Sequence, residues 1–139
     1  MKIAFHGAAR TVTGSKHIVT LSNGKKILLD CGMFQGMGKD TDRLNRHFGF
    51  RPEQIDVMVL SHAHIDHSGL IPKLVKEGFA GKVFCTHGTK ELVTILMEDS
   101  AQIQEDDIRY ANKRRKLRQE PLLLPLYTVE DAQLAAQRL

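Results

Sequence analysis

The sequence has no long apolar run and no secretory leader at its start, and its 139 residues hold only two cysteines, Cys31 and Cys85. A membrane-spanning helix needs about 20 consecutive apolar residues, so none is expected. Few cysteines and no leader argue for a soluble protein in a reducing compartment, cytoplasmic by default. No histidine follows His87, although seven occur up to that point. The formal charge of +4 is small and unevenly spread, because Lys113, Arg114, Arg115, Lys116 and Arg118 supply five of the twenty basic residues. Without them the chain is near neutral. A composition of 42% hydrophobic and 26% charged residues is ordinary for a globular protein and excludes extensive disorder. One domain with a core is expected.

What the sequence does have is concentrated at 61–67, Ser-His-Ala-His-Ile-Asp-His. Three imidazoles and one carboxylate fall within six positions, directly after the apolar run from Ile55 to Leu60. Imidazole nitrogen and carboxylate oxygen are ligands for zinc and similar ions, at roughly 2.0–2.2 Å. The apolar run reads as a buried strand and the residues from Ser68 onward as a helix, so His62, His64, Asp66 and His67 lie on a strand-to-helix turn. In extended backbone His62 and His64 point the same way and can grip one ion. Asp66 and His67, at the helix start, can face a second.

Taken in order, Lys2 to His6 and Lys16 to Leu21 read as strands, and Asn23-Gly24 is a hairpin signal leading into a third, Lys26 to Asp30. Between the first two lies Gly7 to Ser15, a small-residue loop able to approach a metal cluster or a phosphate. Asp30 ends the third strand, where its carboxylate can accept the free N–H of a ligand histidine and fix its tautomer. Cys31 beside it reads as a small buried hydrophobe. The stretch from Gly32 to Arg51 is long and irregular, with a short helix between Asp40 and Phe48, and Phe34 and Gln35 are candidates for a cleft lining. Leu70, Ile71, Leu74 and Val75 form a helical apolar face that Gly78 closes. Lys82 to Thr86 is a further strand, with His87 just past its end. A long helix starts at Thr89, and its acidic residues read as a solvated face. The basic run lies in Tyr110 to Glu120, where clustered cations can neutralise phosphates. Thr128 and Asp131 have capping-box spacing for a last helix from Val129 to Arg138.

The stretch SHAHIDHSGLIPKL resembles the signature of the metallo-β-lactamase superfamily. GAARTVTGSKHIV, LLDCGMFQG and ILMEDSAQIQE are similar to its β-CASP branch of RNA-processing nucleases, over nearly the whole chain but only the opening part of that family's length. The resemblance implies an α/β (α+β) fold, the first half of an αββα sandwich, with a mixed β-sheet and helices on one face. Residues 1–139 are then a partial metallo-β-lactamase domain, with the second sheet and the β-CASP insert absent. It implies a metal-dependent hydrolase that cleaves RNA phosphodiester bonds with a metal-activated hydroxide. The metal ligands carried over are His62, His64, Asp66 and His67, with Asp66, His67 and the supporting Asp30 in catalytic roles. The cofactor is Zn2+, two per complete site, with Mn2+ or Fe suiting the same donors. RNA is the expected partner of the full-length protein, and no membrane is.

Since no histidine follows His87, the site is expected to be incomplete in this chain. Half a sandwich should also expose apolar surface, dimerise or fold poorly. Two other functions stay open on the sequence: a small-molecule hydrolase of the same superfamily acting on a thioester or lactam, and a catalytically inactive truncated fragment that binds metal or a partner.

Overall fold

A computed structural model describes all residues, 1–139. The first three strands, β1 (Lys2–Gly7), β2 (Lys16–Thr20) and β3 (Lys26–Leu29), are antiparallel neighbours. The Asn-Gly signal is realised at the β2–β3 turn. Gly24 takes φ +83° there and Asn23 Oδ1 accepts from Lys25 N at 3.1 Å. β4 (Val57–Val59) and β5 (Lys82–Phe84) then add in parallel, so the five strands lie in sequence order and change sense at β3. Parallel addition requires crossovers. The first is the irregular segment containing α1 (Thr41–Arg46), and the second is α2 (Ile65–Ser68) followed by α3 (Ile71–Lys76).

Side-chain alternation decides which face is covered. Ile18, Leu28, Met58 and Val83 stand in register across β2 to β5, and all are buried. They join one core with Leu70, Ile71 and Leu74 around α3, Val93, Met97 and Ala101 of α4 (His87–Leu117), and Ala132 and Ala135 of α5 (Val129–Ala136). Burying each larger aliphatic side chain contributes about 1.5–3 kcal/mol. The sheet is therefore mixed, with its helices on one face. On the other face Ile3, Phe5, Leu29, Val59 and Phe84 are exposed, Phe5 by 67% and Phe84 by 55%. The apolar surface expected of a half sandwich is present.

Element boundaries depart from the sequence reading in instructive places. The helix expected after the histidine motif is two short helices, broken at Gly69 and Leu70. Pro72 explains the break, because its ring would collide with the carbonyl four residues back in a continuous helix. The first of the two begins at Ile65, so that Asp66 and His67 lie in its first turn. β4 is shorter than the apolar run, because a 3-10 turn over Pro52–Gln54 occupies the approach to it. α4 begins at His87, two residues before Thr89, since the Thr86 side chain caps it by accepting from Thr89 N. α5 carries the capping box, with Thr128 N donating to Asp131 Oδ2 at 2.9 Å and Asp131 N to Thr128 Oγ1 at 3.2 Å.

Candidate metal centre

The C-terminal tips of β3 and β4 and the first turn of α2 meet at one carboxylate. Asp30 follows β3 directly and takes φ +60°, a left-handed conformation that costs a residue with a Cβ about 1 kcal/mol. Four donors hold it there. Oδ1 accepts from Ser61 N at 2.8 Å, and Oδ2 accepts from Ser61 Oγ at 3.0 Å, Ser15 Oγ at 3.4 Å and His67 Nδ1 at 2.8 Å. One side chain thus ties the loop before β2, the ends of two strands and α2.

This wiring sets two histidine tautomers. His67 Nδ1 donates to Asp30, which leaves the lone pair of the neutral ring on Nε2. The Ser61 hydroxyl also gives its proton to Asp30, so its oxygen is left to accept from His62 Nδ1, 2.9 Å away. The lone pair of His62 is likewise left on Nε2. Asp30 reaches His67 directly and His62 through Ser61, a residue the sequence reading did not single out. Its only signal is its position, one residue before the first histidine.

The donors converge two by two. His62 Nε2 lies 3.2 Å from His64 Nδ1, and His67 Nε2 lies 3.5 Å from Asp66 Oδ2. The His62 and His67 rings stand 4.1 Å apart between centroids and link the two edges. Two donors sharing one tetrahedral ion at about 2.0–2.1 Å lie about 3.3–3.4 Å from each other, so both spacings fit a shared ion. No group of three or more His, Cys, Asp or Glu side chains is arranged to hold a metal ion. The four expected ligands are brought together, as edges rather than a closed cage. His47 and His87 are exposed and take part in neither edge.

Backbone contacts press the turn against the strand tips. Ser15 N donates to Asp66 O at 2.9 Å, Cys31 N to His67 O at 2.8 Å and Met33 N to Ile65 O at 3.0 Å. Gly32 is required for this approach, because a Cβ built on it would fall 1.6 Å from Asp66 O. Beneath lies Lys16, fully buried, with Nζ donating to Gly14 O at 3.0 Å and Gly32 O at 2.6 Å and resting 4.2 Å from the centre of the Phe34 ring. Its ammonium clamps the two loops that flank the turn. Burial lowers its pKa to about 8. Phe34 is buried in this clamp, whereas Gln35 is exposed. Burial pushes the Cys31 thiol up to about 12, so it stays protonated and behaves as a hydrophobe.

Comparison with known proteins places the chain in a family. The profile of the metallo-beta-lactamase superfamily matches residues 15–133. The chain is 46% identical over 106 residues to Ribonuclease TTHA0252 of Thermus thermophilus, covering 76% of this chain and 24% of that protein. It is 34% identical over 119 residues to transcription termination factor FttA of Methanococcus maripaludis, covering 81% and 18%. Against Integrator complex subunit 11 of Danio rerio the identity is 35% over 113 residues, covering 76% and 18%. The chain spans about a quarter or less of the length of these curated relatives. It belongs to the metallo-β-lactamase superfamily, with homologues of the β-CASP branch matching over most of its length.

Proposed function

We propose that these 139 residues are the metal-gripping part of an RNA phosphodiesterase, and that by themselves they bind divalent metal without turning substrate over. The observation that carries the reading is the pair of donor edges, at 3.2 and 3.5 Å, whose histidine tautomers are set by Asp30. His62 and His64 would hold one ion, Asp66 and His67 a second. Zinc is the preferred metal, and manganese or iron suits the same donors. When bound, such ions supply Lewis acidity and lower the pKa of water. Asp30 orients the His67 ring directly, and Ser61 extends its hold to His62. Ser15 and the main chain of Cys31 and Met33 keep the turn in place.

Two donors per edge fall short of the three protein ligands usual at a catalytic zinc. The absence of a three-residue group therefore favours a half-site over a working centre in this chain alone. RNA as the substrate class rests on the likeness to proteins named as a ribonuclease and a transcription termination factor, with the basic run as lesser support.

The test is a zinc titration of the 139-residue protein followed by a turnover assay with a labelled single-stranded RNA and, separately, a chromogenic β-lactam. The expected result is stoichiometric zinc, slower stripping of that zinc by a chelator when RNA but not the lactam is present, and no turnover of either. RNA cleavage that disappears in His64→Ala would overturn the half-site. Lactam hydrolysis would overturn the choice of RNA. Absence of zinc binding would overturn both.

A further inference from the structure

The core ends well before α4 does. Only Val93, Met97 and Ala101 of this 31-residue helix are buried, and from Arg109 through Leu124 no residue is buried at all. The last turns of α4 and the segment that folds back along them therefore stand out as an arm. The arm is built rather than loose. Asn112 Nδ2 donates to Leu123 O at 3.0 Å while Leu123 N donates to Asn112 Oδ1 at 2.8 Å, and Arg115 Nε donates to Pro121 O at 2.6 Å. Gln119 makes the reversal at φ +54°.

Charge on this arm is one-sided. Residues 109–120 hold Arg109, Lys113, Arg114, Arg115, Lys116 and Arg118 against a single acid, Glu120. Arg109 is paired to Asp106 at 2.9 Å and Arg115 to Glu120 at 3.2 Å. Lys113, Arg114, Lys116 and Arg118 have no ion pair. A concavity of about 300 Å3 runs along the arm, lined by Arg109, Asn112, Lys113, Lys116 and Leu122. The helical rise of about 1.5 Å per residue spreads Arg109 to Lys116 over about 10 Å, enough to follow the backbone of an extended strand. Tyr110 is 69% exposed and, at helical spacing, neighbours Lys113 and Arg114. Of the unpaired cations Lys113 and Lys116 line this concavity, while Arg114 stands with Tyr110 on the adjoining flank. Cations flanked by an exposed aromatic ring are what a single-stranded nucleic acid uses, the cations for phosphates and the ring for a stacked base. A membrane surface fits less well, because Arg114 lies between Tyr110 and Leu117 and interrupts the apolar stripe.

We infer that this arm is a docking surface for single-stranded RNA, separate from the metal turn. The inference rests on the RNA reading above and deepens it by giving the substrate a second point of attachment. The test is fluorescence anisotropy of a labelled 15-nucleotide RNA against the 139-residue protein across a salt series, with anionic vesicles as the competing ligand. The variants are a quadruple K113Q/R114Q/K116Q/R118Q and Tyr110→Ala. For the quadruple variant, the expected result is at least about a tenfold loss of affinity and a decrease of about 3 in the slope of log K against log salt. Tyr110→Ala should weaken binding with the slope kept. Circular dichroism should be unchanged in both. An unchanged affinity and slope in the quadruple variant, no RNA binding by the wild type, or tighter binding to vesicles than to RNA would overturn the inference. If RNA binds through the arm while no metal binds at the turn, the arm stands and the phosphodiesterase reading falls. If metal binds and RNA protects it equally in the quadruple variant, the reverse holds.

Discussion

Gly32→Ala is the substitution whose consequence the structure determines most tightly. The added Cβ would lie 1.6 Å from Asp66 O, 2.2 Å from Asp66 C and 2.7 Å from His67 N. All three are backbone atoms of the histidine turn, so no rotamer change relieves the overlap. The turn or the tip of β3 must move by more than an ångström. Four main-chain hydrogen bonds resist that movement: Gly32 N to Ser15 O, Ser15 N to Asp66 O, Cys31 N to His67 O and Met33 N to Ile65 O, at 2.8–3.0 Å. Overpacking costs about 1–3 kcal/mol and each lost hydrogen bond about 1 kcal/mol, so with two bonds lost the variant should be destabilised by about 3–5 kcal/mol. Typical stabilities of about 5–15 kcal/mol leave little after such a loss. Urea unfolding measures the stability, and competition with a fluorescent chelator measures the zinc affinity, which should fall with the displaced Asp66 and His67. Gly24→Ala is the control. Its Cβ meets nothing within 4 Å, so it should cost about 1 kcal/mol through backbone conformation alone and leave zinc affinity unchanged. A Gly32→Ala protein within about 1 kcal/mol of wild type, with wild-type zinc affinity, would refute the account of how the turn is seated.

Three further outcomes follow from the same geometry. Ser61→Ala removes the link between Asp30 and His62, so zinc affinity should fall by about 10–100-fold and nitrogen NMR should show the His62 proton no longer confined to Nδ1; a change under twofold would contradict the relay. In chelator, stability should rise by about 0.6 kcal/mol between pH 8 and 9, about 1 kcal/mol from Lys16 less about 0.4 kcal/mol from Cys31. Lys16, with its pKa lowered from the ordinary 10.5 to about 8, has released its proton in the folded protein while the unfolded chain still holds it. Cys31 opposes this, most strongly above pH 9, since its thiol is raised from 9.0 to about 12 and the folded protein keeps a proton that the unfolded chain loses. The curve should flatten from 9 to 10.5 and fall beyond, and Lys16→Met should remove the rise, as chemical denaturation at each pH would show. Substituting Phe5 and Phe84 by serine on the uncovered sheet face should leave stability within about 0.5 kcal/mol per site and reduce self-association in analytical ultracentrifugation; unchanged self-association would mean that this face is not what associates.

Local patterns carried much of this fold. The first three strands, the Asn23-Gly24 turn, the helix cap at Gly78 and the Thr128–Asp131 box are each written in neighbouring residues, and each is close to where the sequence places it. The break in the helix after the histidine motif was equally local, through Pro72, but the apolar spacing of Leu70, Ile71 and Leu74 masked it. At the site, residue type and spacing marked His62, His64, Asp66, His67 and Asp30. What they could not mark are contacts between residues far apart in the chain. Ser61 to Asp30, Lys16 to Gly32 and Gly32 against Asp66 depend on which strand tips the sheet brings together, and that is a property of the parallel crossover from β3 to β4. The arm was legible as charge but not as shape. Its isolation follows from α4 outrunning the sheet it packs on.

The most direct test of the central claim is metal content per chain, measured by mass spectrometry on the purified 139-residue protein and on an H62A/H64A variant. The account predicts stoichiometric metal in the wild type, and in the variant loss of at least the ion shared by His62 and His64, with the fold retained by circular dichroism. Equal metal in both proteins, or none in either, would contradict the assignment of this turn as a metal site.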